Sequence, residues 1–183
     1  TPGFIISDHP VVAYNQYAEH HPDFQHCLSI AGLACKGLQM FLPVSPGVTL
    51  AIYDPSTYQY GGKSLVCRAG PSDVAYLNQM QATGALSCAY FLGTRITDAT
   101  IAELVNLRRR HKSIYERNTM TAPRLTKPDG SAGHVIAVSG GEVRVGAKLS
   151  FIRLLDQRRY HGYDRAYPPV RSEKMLELTR SFG

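Results

Sequence analysis

The sequence predicts an α+β domain in which a largely antiparallel sheet of hairpins packs against two consecutive helices, with a short C-terminal helix added. Short apolar runs bounded by turn residues occur at 4–13 and 38–53, two stretches with helical period follow at 73–92 and 98–117, and strand-like runs then return. Strand runs followed by helix runs are typical of α+β folds. With 183 residues, 44% of them hydrophobic, the chain can bury one core and is predicted to form a single domain over 1–183.

The first strands are predicted at 4–6 and 11–13, on either side of Ser7-Asp8-His9-Pro10. Pro10 has no N–H for a sheet ladder, so it separates two short strands rather than lying inside one long strand. Residues 14–37 show neither a helical nor a strand period, which predicts a long loop.

A hairpin is predicted next, with strands at 38–44 and 48–53 joined by Ser45-Pro46-Gly47. Proline and glycine at a short connection are typical of tight turns between antiparallel strands. A further short strand is expected at 63–68.

The first predicted helix, at 73–92, is capped by Ser72 or Asp73, and the second, at 98–117, is capped by Thr97. Gly84 interrupts the first helix at a cost of about 1 kcal/mol relative to alanine. The positions expected to face the core are Val74, Leu77, Ala85, Cys88 and Leu92 in the first helix and Ile101, Leu104, Val105 and Ile114 in the second.

The remaining chain is predicted from composition and turn residues. Residues 118–133 resemble a linker and mark the one place where the domain could divide. A second hairpin is expected to pair 135–138 with 143–145, and 151–155 is a strand or the start of a helix. Residues 158–169 are expected to form a basic, aromatic loop, followed by a short helix over 172–178.

Charge is distributed unevenly along the chain. Residues 1–94 carry three cationic and five acidic side chains, whereas residues 95–183 carry 17 and nine, which gives the whole chain its net charge of +6. A basic half favours an acidic partner such as nucleic acid or an acidic protein, although a solvated surface has the same composition. Arginine beside tyrosine suits unpaired bases. The candidate nucleic-acid-binding residues are Arg108, Arg109, Lys112, Arg158, Arg159, Tyr160 and Tyr163.

Asp8 and His9 are the candidate catalytic pair, because a carboxylate and an imidazole follow a strand end, where scaffolds often present reactive groups. The alternative, which aspartate adopts more often, is that Asp8 accepts nearby backbone N–H groups and stabilises a turn. No histidine pair has the spacing of a metal site, so neither a metal nor a cofactor is predicted.

Several classes of protein are disfavoured. No run of apolar residues is long enough to cross a membrane, and no membrane partner is expected. The four cysteines are irregularly spaced and none forms a Cys-x-x-Cys pair, so free thiols in a reducing cytoplasm are predicted.

Ile6-Ser7-Asp8-His9-Pro10-Val11 resembles the Ser-Asp-x-Pro-Val segment of the DUF4238 family, a group without an assigned function. Pro43-Val44-Ser45-Pro46 resembles the Pro-Leu-Ser-Pro hairpin of that family, with valine in place of leucine. Val74, Leu77, Asn78 and Gln81 resemble its following helix. The resemblance covers roughly residues 4–92 and implies the C-terminal portion of a longer protein, because nothing here matches the family's His-x-x-Pro-x-x-Tyr-Leu segment. Asp8 and Asn78 match recurring positions of unassigned role, which adds Asn78 to the candidate site.

Three functional hypotheses follow. The first is a binding module that engages nucleic acid or another polyanion through its basic second half. The second is a phosphodiester-type hydrolase with Asp8 in a site completed by a missing N-terminal region. The third is a protein-interaction or structural domain.

Overall fold

A computed structural model describes residues 2–21, 24, 31–61, 65–110, 145–155, 170, 172 and 174, together with the backbone of four short strands between 118 and 139. All strand pairs in these residues are antiparallel. Helices and antiparallel sheets therefore coexist in one chain, and the prediction of an α+β fold is confirmed.

The elements follow one another as short strands and three helices. In chain order they are β1 (Ile6–Ser7), β2 (Val12–Tyr14), α1 (Gln16–His20), β3 (Gln39–Ser45), β4 (Val48–Tyr53), β5 (Tyr58–Tyr60), α2 (Pro71–Gly84), β6 (Ala89–Tyr90), α3 (Asp98–Arg110), β7 (Asn118–Thr121), β8 (Leu125–Thr126), β9 (Ala132–Gly133), β10 (Ile136–Ser139) and β11 (Ile152–Leu154).

The longest strands form the predicted hairpin. β3 pairs with β4 from Gln39–Tyr53 to Ser45–Val48, with a bulge between Pro43 and Ser45, and β2 pairs with the other side of β3. Side chains alternate across the sheet, so Val12 and Phe41 enter the core while their neighbours point to the opposite face.

The core extends across distant parts of the chain. β5 pairs with β11, which lies more than ninety residues later. Ala147 and Leu149, just before β11, are almost completely buried in the main core cluster with Tyr14, Tyr58 and Leu77. The segment 145–155 therefore packs as an integral part of the core formed by the first 84 residues.

Helix α2 begins at Pro71, a position where proline sacrifices no intrahelical hydrogen bond, and the Asp73 carboxylate accepts the N–H of Gly70 before it. The helix ends at Gly84 rather than at residue 92 as predicted. Beyond it the backbone is extended at Ala85 and the chain enters β6, which pairs with β1. Cys88 and Leu92 are consequently exposed, so the prediction that they face the core is wrong.

Helix α3 begins where predicted and packs on α2. Ile101 and Leu104 pack against a small cluster of Ile5, Ala82 and Ile96. Val105 is exposed instead of buried. The expected continuation through 111–117, including Ile114 and Lys112, lies outside the described residues.

Three predictions of irregular or strand structure were wrong because short elements depend on distant partners. The predicted loop 14–37 contains α1, which the Asn15 side chain caps by accepting the N–H of Ala18. Residues 65–68 form no strand; β5 takes that place just before them.

The predicted linker 118–133 also contains strands. β10 pairs with β7, and β8 pairs with β9 between them. The predicted partner strand 143–145 lies largely outside the described residues. The basic loop 158–169 and most of the helix 172–178 lie outside the described residues, while an isolated bridge joins Val170 to Cys35.

The packing of 145–155 gives a first prediction. Leu149→Ala removes a side chain that is 2% exposed and should lower the free energy of unfolding by about 2–5 kcal/mol, through lost burial and the cavity left behind. Leu155, in the same segment, is 50% exposed, and Leu155→Ala should cost less than about 1 kcal/mol. Urea unfolding of both variants measures the difference. Equal losses would contradict the assignment of this segment to the core.

Candidate functional site

Asp8 binds backbone that follows helix α2. Its carboxylate accepts the N–H groups of Leu86 at 2.9 Å, Ser87 at 2.7 Å and Cys88 at 3.3 Å. The Asp8 N–H in turn donates to the Cys88 carbonyl at 3.1 Å. Asp8 thus accepts backbone N–H groups, as the structural alternative expected, but from the chain after α2 rather than from its own turn, and it holds that chain beside β1.

These donors set the acidity of Asp8. Desolvation on its own would raise the pKa of Asp8, but the hydrogen bonds from Ser87, Leu86 and Cys88 outweigh it, and the pKa lies below its ordinary value of 3.8. Such donors favour the charged form. Asp8 is therefore an ionised hydrogen-bond acceptor at neutral pH. Its lowered pKa makes it a weak base.

Asn78 also binds backbone, at a separate place. It is 3% exposed, its side-chain oxygen accepts the N–H of Ile5 at 2.9 Å, and its side-chain nitrogen donates to the Gly3 carbonyl at 2.9 Å. Both ends of the amide are therefore engaged by the N-terminal segment.

Gln81, one turn further along α2, repeats this pattern. Its side-chain oxygen accepts from the N–H and the hydroxyl of Ser7, and its side-chain nitrogen donates to the Pro10 carbonyl at 2.6 Å. Asn78 and Gln81 thus pair with the N-terminal segment as a neighbouring strand would. Both residues belong to the family-like helix pattern recognised in the sequence, but that pattern does not indicate their partners.

The candidate catalytic residues are arranged along this segment rather than around one cavity. Asp8 binds residues 86–88, Asn78 binds residues 3 and 5, and His9 is exposed to solvent. The Ser7 hydroxyl donates to the His9 carbonyl at 2.8 Å. The described contacts of Asp8 and Asn78 are with backbone, and their proposed catalytic use remains a prediction.

The carboxylates of Asp54 and Asp73 also accept hydrogen bonds from backbone N–H groups. Asp54, 6% exposed, accepts the N–H of Gly37 at 2.9 Å, the N–H and hydroxyl of Ser56, and the Thr57 hydroxyl at 2.9 Å. Burial alone would raise the pKa of Asp54, but these donors hold it below 3.8. The run Asp54-Pro55-Ser56-Thr57 is a turn signal that locates this acceptor in the sequence.

Asp73 joins α2 to the distant segment before β11. Its carboxylate accepts the N–H and the hydroxyl of Ser150, both at 2.6 Å, in addition to the N–H of Gly70. The chain position of Asp73 indicates a helix cap, but no local pattern indicates the bond to Ser150.

The basic candidates divide into three groups. Arg108 donates to the carbonyl of Leu86 at 3.2 Å and, more weakly, to that of Thr83 at 3.4 Å, which places its guanidinium at the C-terminal end of α2. Arg109 and Arg110 are exposed in the last turn of α3. The remaining candidates, Lys112, Arg158, Arg159, Tyr160 and Tyr163, lie outside the described residues.

The described residues have few features of a ligand site. They contain no group of three or more histidine, cysteine or acidic side chains able to hold a metal ion. Cys67 and Cys88 are free thiols. Among the helices that the structure describes, none combines the length and the apolar character needed to cross a membrane.

The extended segment followed by a hairpin and helix α2 is the part of the chain that carries the family resemblance. The model of the family described as "Protein of unknown function (DUF4238)" matches residues 1–92. This chain belongs to the DUF4238 family. The match covers the first half of the chain and ends before α3. Searches of the curated proteins and of the solved structures found no match.

Helix α2 lies within the part of the chain that the DUF4238 model matches. Its amide contacts with the N-terminal segment generate a second prediction. Asn78→Ala leaves the Ile5 N–H and the Gly3 carbonyl buried without these partners and should cost about 2–5 kcal/mol of stability. The matched control is Asn106→Ala, at an exposed position of α3, which should change stability by less than about 0.5 kcal/mol. Thermal and urea unfolding distinguish the two variants, and a neutral Asn78→Ala variant would disprove the role assigned to this amide.

Asp54 gives a third prediction, on pH. Because the pKa of Asp54 is lowered in the folded chain, its stabilising contribution is complete above the unfolded value and is lost as pH falls through the folded value. Asp54→Asn should therefore destabilise the chain by about 2–4 kcal/mol at neutral pH.

The difference between the parent chain and Asp54→Asn should shrink as the pH falls below 3.8. Glu103→Gln, at an exposed site in α3, is the control for simple loss of a charge. Urea unfolding across an acidic pH series measures both variants. A difference that is independent of pH would contradict the linkage.

Proposed function

We propose that this chain is a binding module that engages nucleic acid or another polyanion through its basic second half. The observation that carries the proposal is the exposure of Arg109 and Arg110 in the last turn of a packed helix. The 17 cationic side chains of residues 95–183, against nine acidic ones, provide the surrounding charge.

The end of α3 is anchored rather than free. Arg108 binds carbonyl groups at the C-terminal end of α2, and Leu104 packs one turn earlier against the small apolar cluster. Successive helical residues point in directions about 100° apart. Arg109 and Arg110 therefore point away from the helix in directions other than that of Arg108. Because packing holds the backbone of α3 in place, less conformational entropy is lost when these arginines bind a partner.

The acidic residues of the described chain support the same proposal. Asp8, Glu19, Asp54 and Asp73 each accept at least one backbone N–H within the fold. Their hydrogen-bonding capacity is used internally, and Asp54 and Asp73 are buried. These four acids all lie within the first 73 residues, so none belongs to the helix that presents Arg109 and Arg110.

Single-stranded nucleic acid fits this surface better than a compact anion. Tyr90 and Phe91 are exposed, at 62% and 46%, close in sequence to Leu86, whose carbonyl Arg108 binds. Exposed aromatic rings near arginines suit stacking on unpaired bases, in addition to contacts with phosphate. We include Lys112, Arg158, Arg159, Tyr160 and Tyr163 in the proposed surface on the basis of sequence, with an acidic protein as the alternative partner.

The hydrolase alternative has less support, because Asn78 has both ends of its amide bound to backbone and Asp8 is a weak base. The free thiols of Cys67 and Cys88 favour a reducing compartment, and we propose the cytoplasm as the place of action.

The test is binding of fluorescent single-stranded RNA and DNA over a salt series. Affinity should fall steeply as salt increases, because phosphate contacts release bound counterions. Arg109→Gln should weaken binding and reduce the slope of log K against log salt by about one. The control is Arg68→Gln, an exposed arginine in the first half of the chain, which should leave the slope unchanged.

Equal effects of the two variants would contradict the assignment to the second half, and an absence of salt-sensitive binding would overturn the proposal. Product analysis with Mg²⁺ present tests the hydrolase alternative in the same samples. Cleavage that Asp8→Ala abolishes would support that alternative instead.

A further inference from the structure

The central sheet has a second apolar face, which we call the outer face. Its members alternate with the core-facing residues of β2, β3 and β4 and are Ala13, Met40, Leu42, Val48, Leu50 and Ile52. Val48, Leu50 and Ile52 are each more than half exposed. The solvent face of an antiparallel sheet is normally polar, and contiguous exposed apolar side chains mark interaction surfaces.

Strand β4 is also an open edge of its sheet. It pairs with β3 on one side, and no described residue pairs with it on the other. Its sequence, Val48 to Tyr53, contains neither a charged residue nor a proline. Exposed sheet edges usually carry such residues because they block pairing with another chain. β4 therefore lacks the ordinary protection against strand addition.

The backbone groups that β4 offers can be identified from the ladder. The Asp54 N–H donates to the Leu38 carbonyl at 3.1 Å. Hydrogen-bonded and non-hydrogen-bonded pairs alternate in an antiparallel ladder. The Met40–Ile52 and Leu42–Leu50 pairs are therefore hydrogen-bonded, and the Phe41–Ala51 and Pro43–Thr49 pairs that alternate with them are not. The N–H and C=O groups of Thr49 and Ala51 consequently point away from β3, toward the open edge.

We propose that this edge binds β4 of a second copy of the chain. An antiparallel pair of identical strands closes on itself about a two-fold axis, as the commonest homodimers do. Registers two residues apart all keep the outer faces of both copies on the same side. We propose the one that places Leu50 opposite Leu50 and Val48 opposite Ile52, because it alone pairs all three exposed apolar residues of β4 with each other. In this register the backbone N–H and C=O groups of Thr49 in one copy pair with those of Ala51 in the other. The two Leu50 residues then form a non-hydrogen-bonded pair, in which the Cα atoms lie closer together.

Charge favours a second copy over a polyanion at this surface. Residues 37–53 contain no lysine, arginine, histidine, aspartate or glutamate. Two copies of a chain with a net charge of +6 repel one another through most surfaces, but the β4 edges meet without like charges in contact. The interaction uses neither Arg109 nor Arg110, so it is independent of the proposed polyanion binding.

Cysteine cross-linking tests the register directly. In the dimer the two Leu50 Cα atoms lie about 4.5 Å apart, which is within disulfide range. Leu50→Cys should form a covalent dimer under mild oxidation at least about tenfold faster than Val48→Cys, because residue 48 faces residue 52 of the other copy. A mixture of Val48→Cys and Ile52→Cys should cross-link to a heterodimer. The parent chain, with its own four cysteines, gives the background rate.

The native mass is the second measurement and requires no cysteine. Sedimentation or light scattering over a range of concentrations should show a dimer, and Leu50→Lys should raise its dissociation constant on the order of tenfold or more, because the two lysines would lie directly opposite each other. Leu65→Lys, at a fully exposed leucine outside the sheet, is the matched control and should dimerise like the parent chain. A parent chain that stays monomeric, or Val48→Cys cross-linking as fast as Leu50→Cys, would overturn the proposal.

Discussion

The fold depends on one constraint, the need to satisfy backbone hydrogen-bonding groups in segments that form little regular structure. Helix α2 meets most of this need. From its first turn Asp73 reaches Ser150, and from its later turns Asn78 and Gln81 reach the N-terminal segment. Polar side chains of one helix thus replace the ladder partners that two irregular segments lack. This explains why α2 buries Asp73, Asn78 and Gln81 alongside Val74 and Leu77.

The same constraint distinguishes polar side chains that stabilise the fold from polar side chains that stay exposed to solvent. The described acids are used largely on backbone N–H groups, while cations of α3 remain at the surface, where Arg109 and Arg110 are exposed. The basic end of α3 and the uncharged edge of β4 are therefore surfaces of different chemistry on one chain. We propose a polyanion as the partner of the first and an identical strand as the partner of the second.

The elements that the sequence predicted correctly are those whose determinants lie within the element itself. The β3–β4 hairpin follows from alternation around Pro46-Gly47, and the start of α3 follows from its helical period. The end of α2 and the strand β5 were missed because residues far along the chain determine them: Asp8 holds the backbone after Gly84, and β11 supplies the partner of Tyr58–Tyr60. At the candidate site, the role of Asp8 as an acceptor of backbone N–H groups was predicted, but its donors were not, because they lie in residues 86–88. The partners of Asn78 could not be predicted, because the helical pattern of α2 contains no information about which segment lies against it.

The burial of 145–155 has a consequence for biosynthesis. The family-matched part of the chain is synthesised before residues 145–155, yet Tyr14 needs the Ala147 carbonyl and Asp73 needs Ser150, partners encoded 133 and 77 residues later. Contacts of such sequence separation slow folding. The hairpin can form early from local contacts, but the nascent chain must keep a partly open core until residue 155 has been made. During that interval the buried faces of Tyr14, Tyr58 and Leu77 are accessible to chaperones.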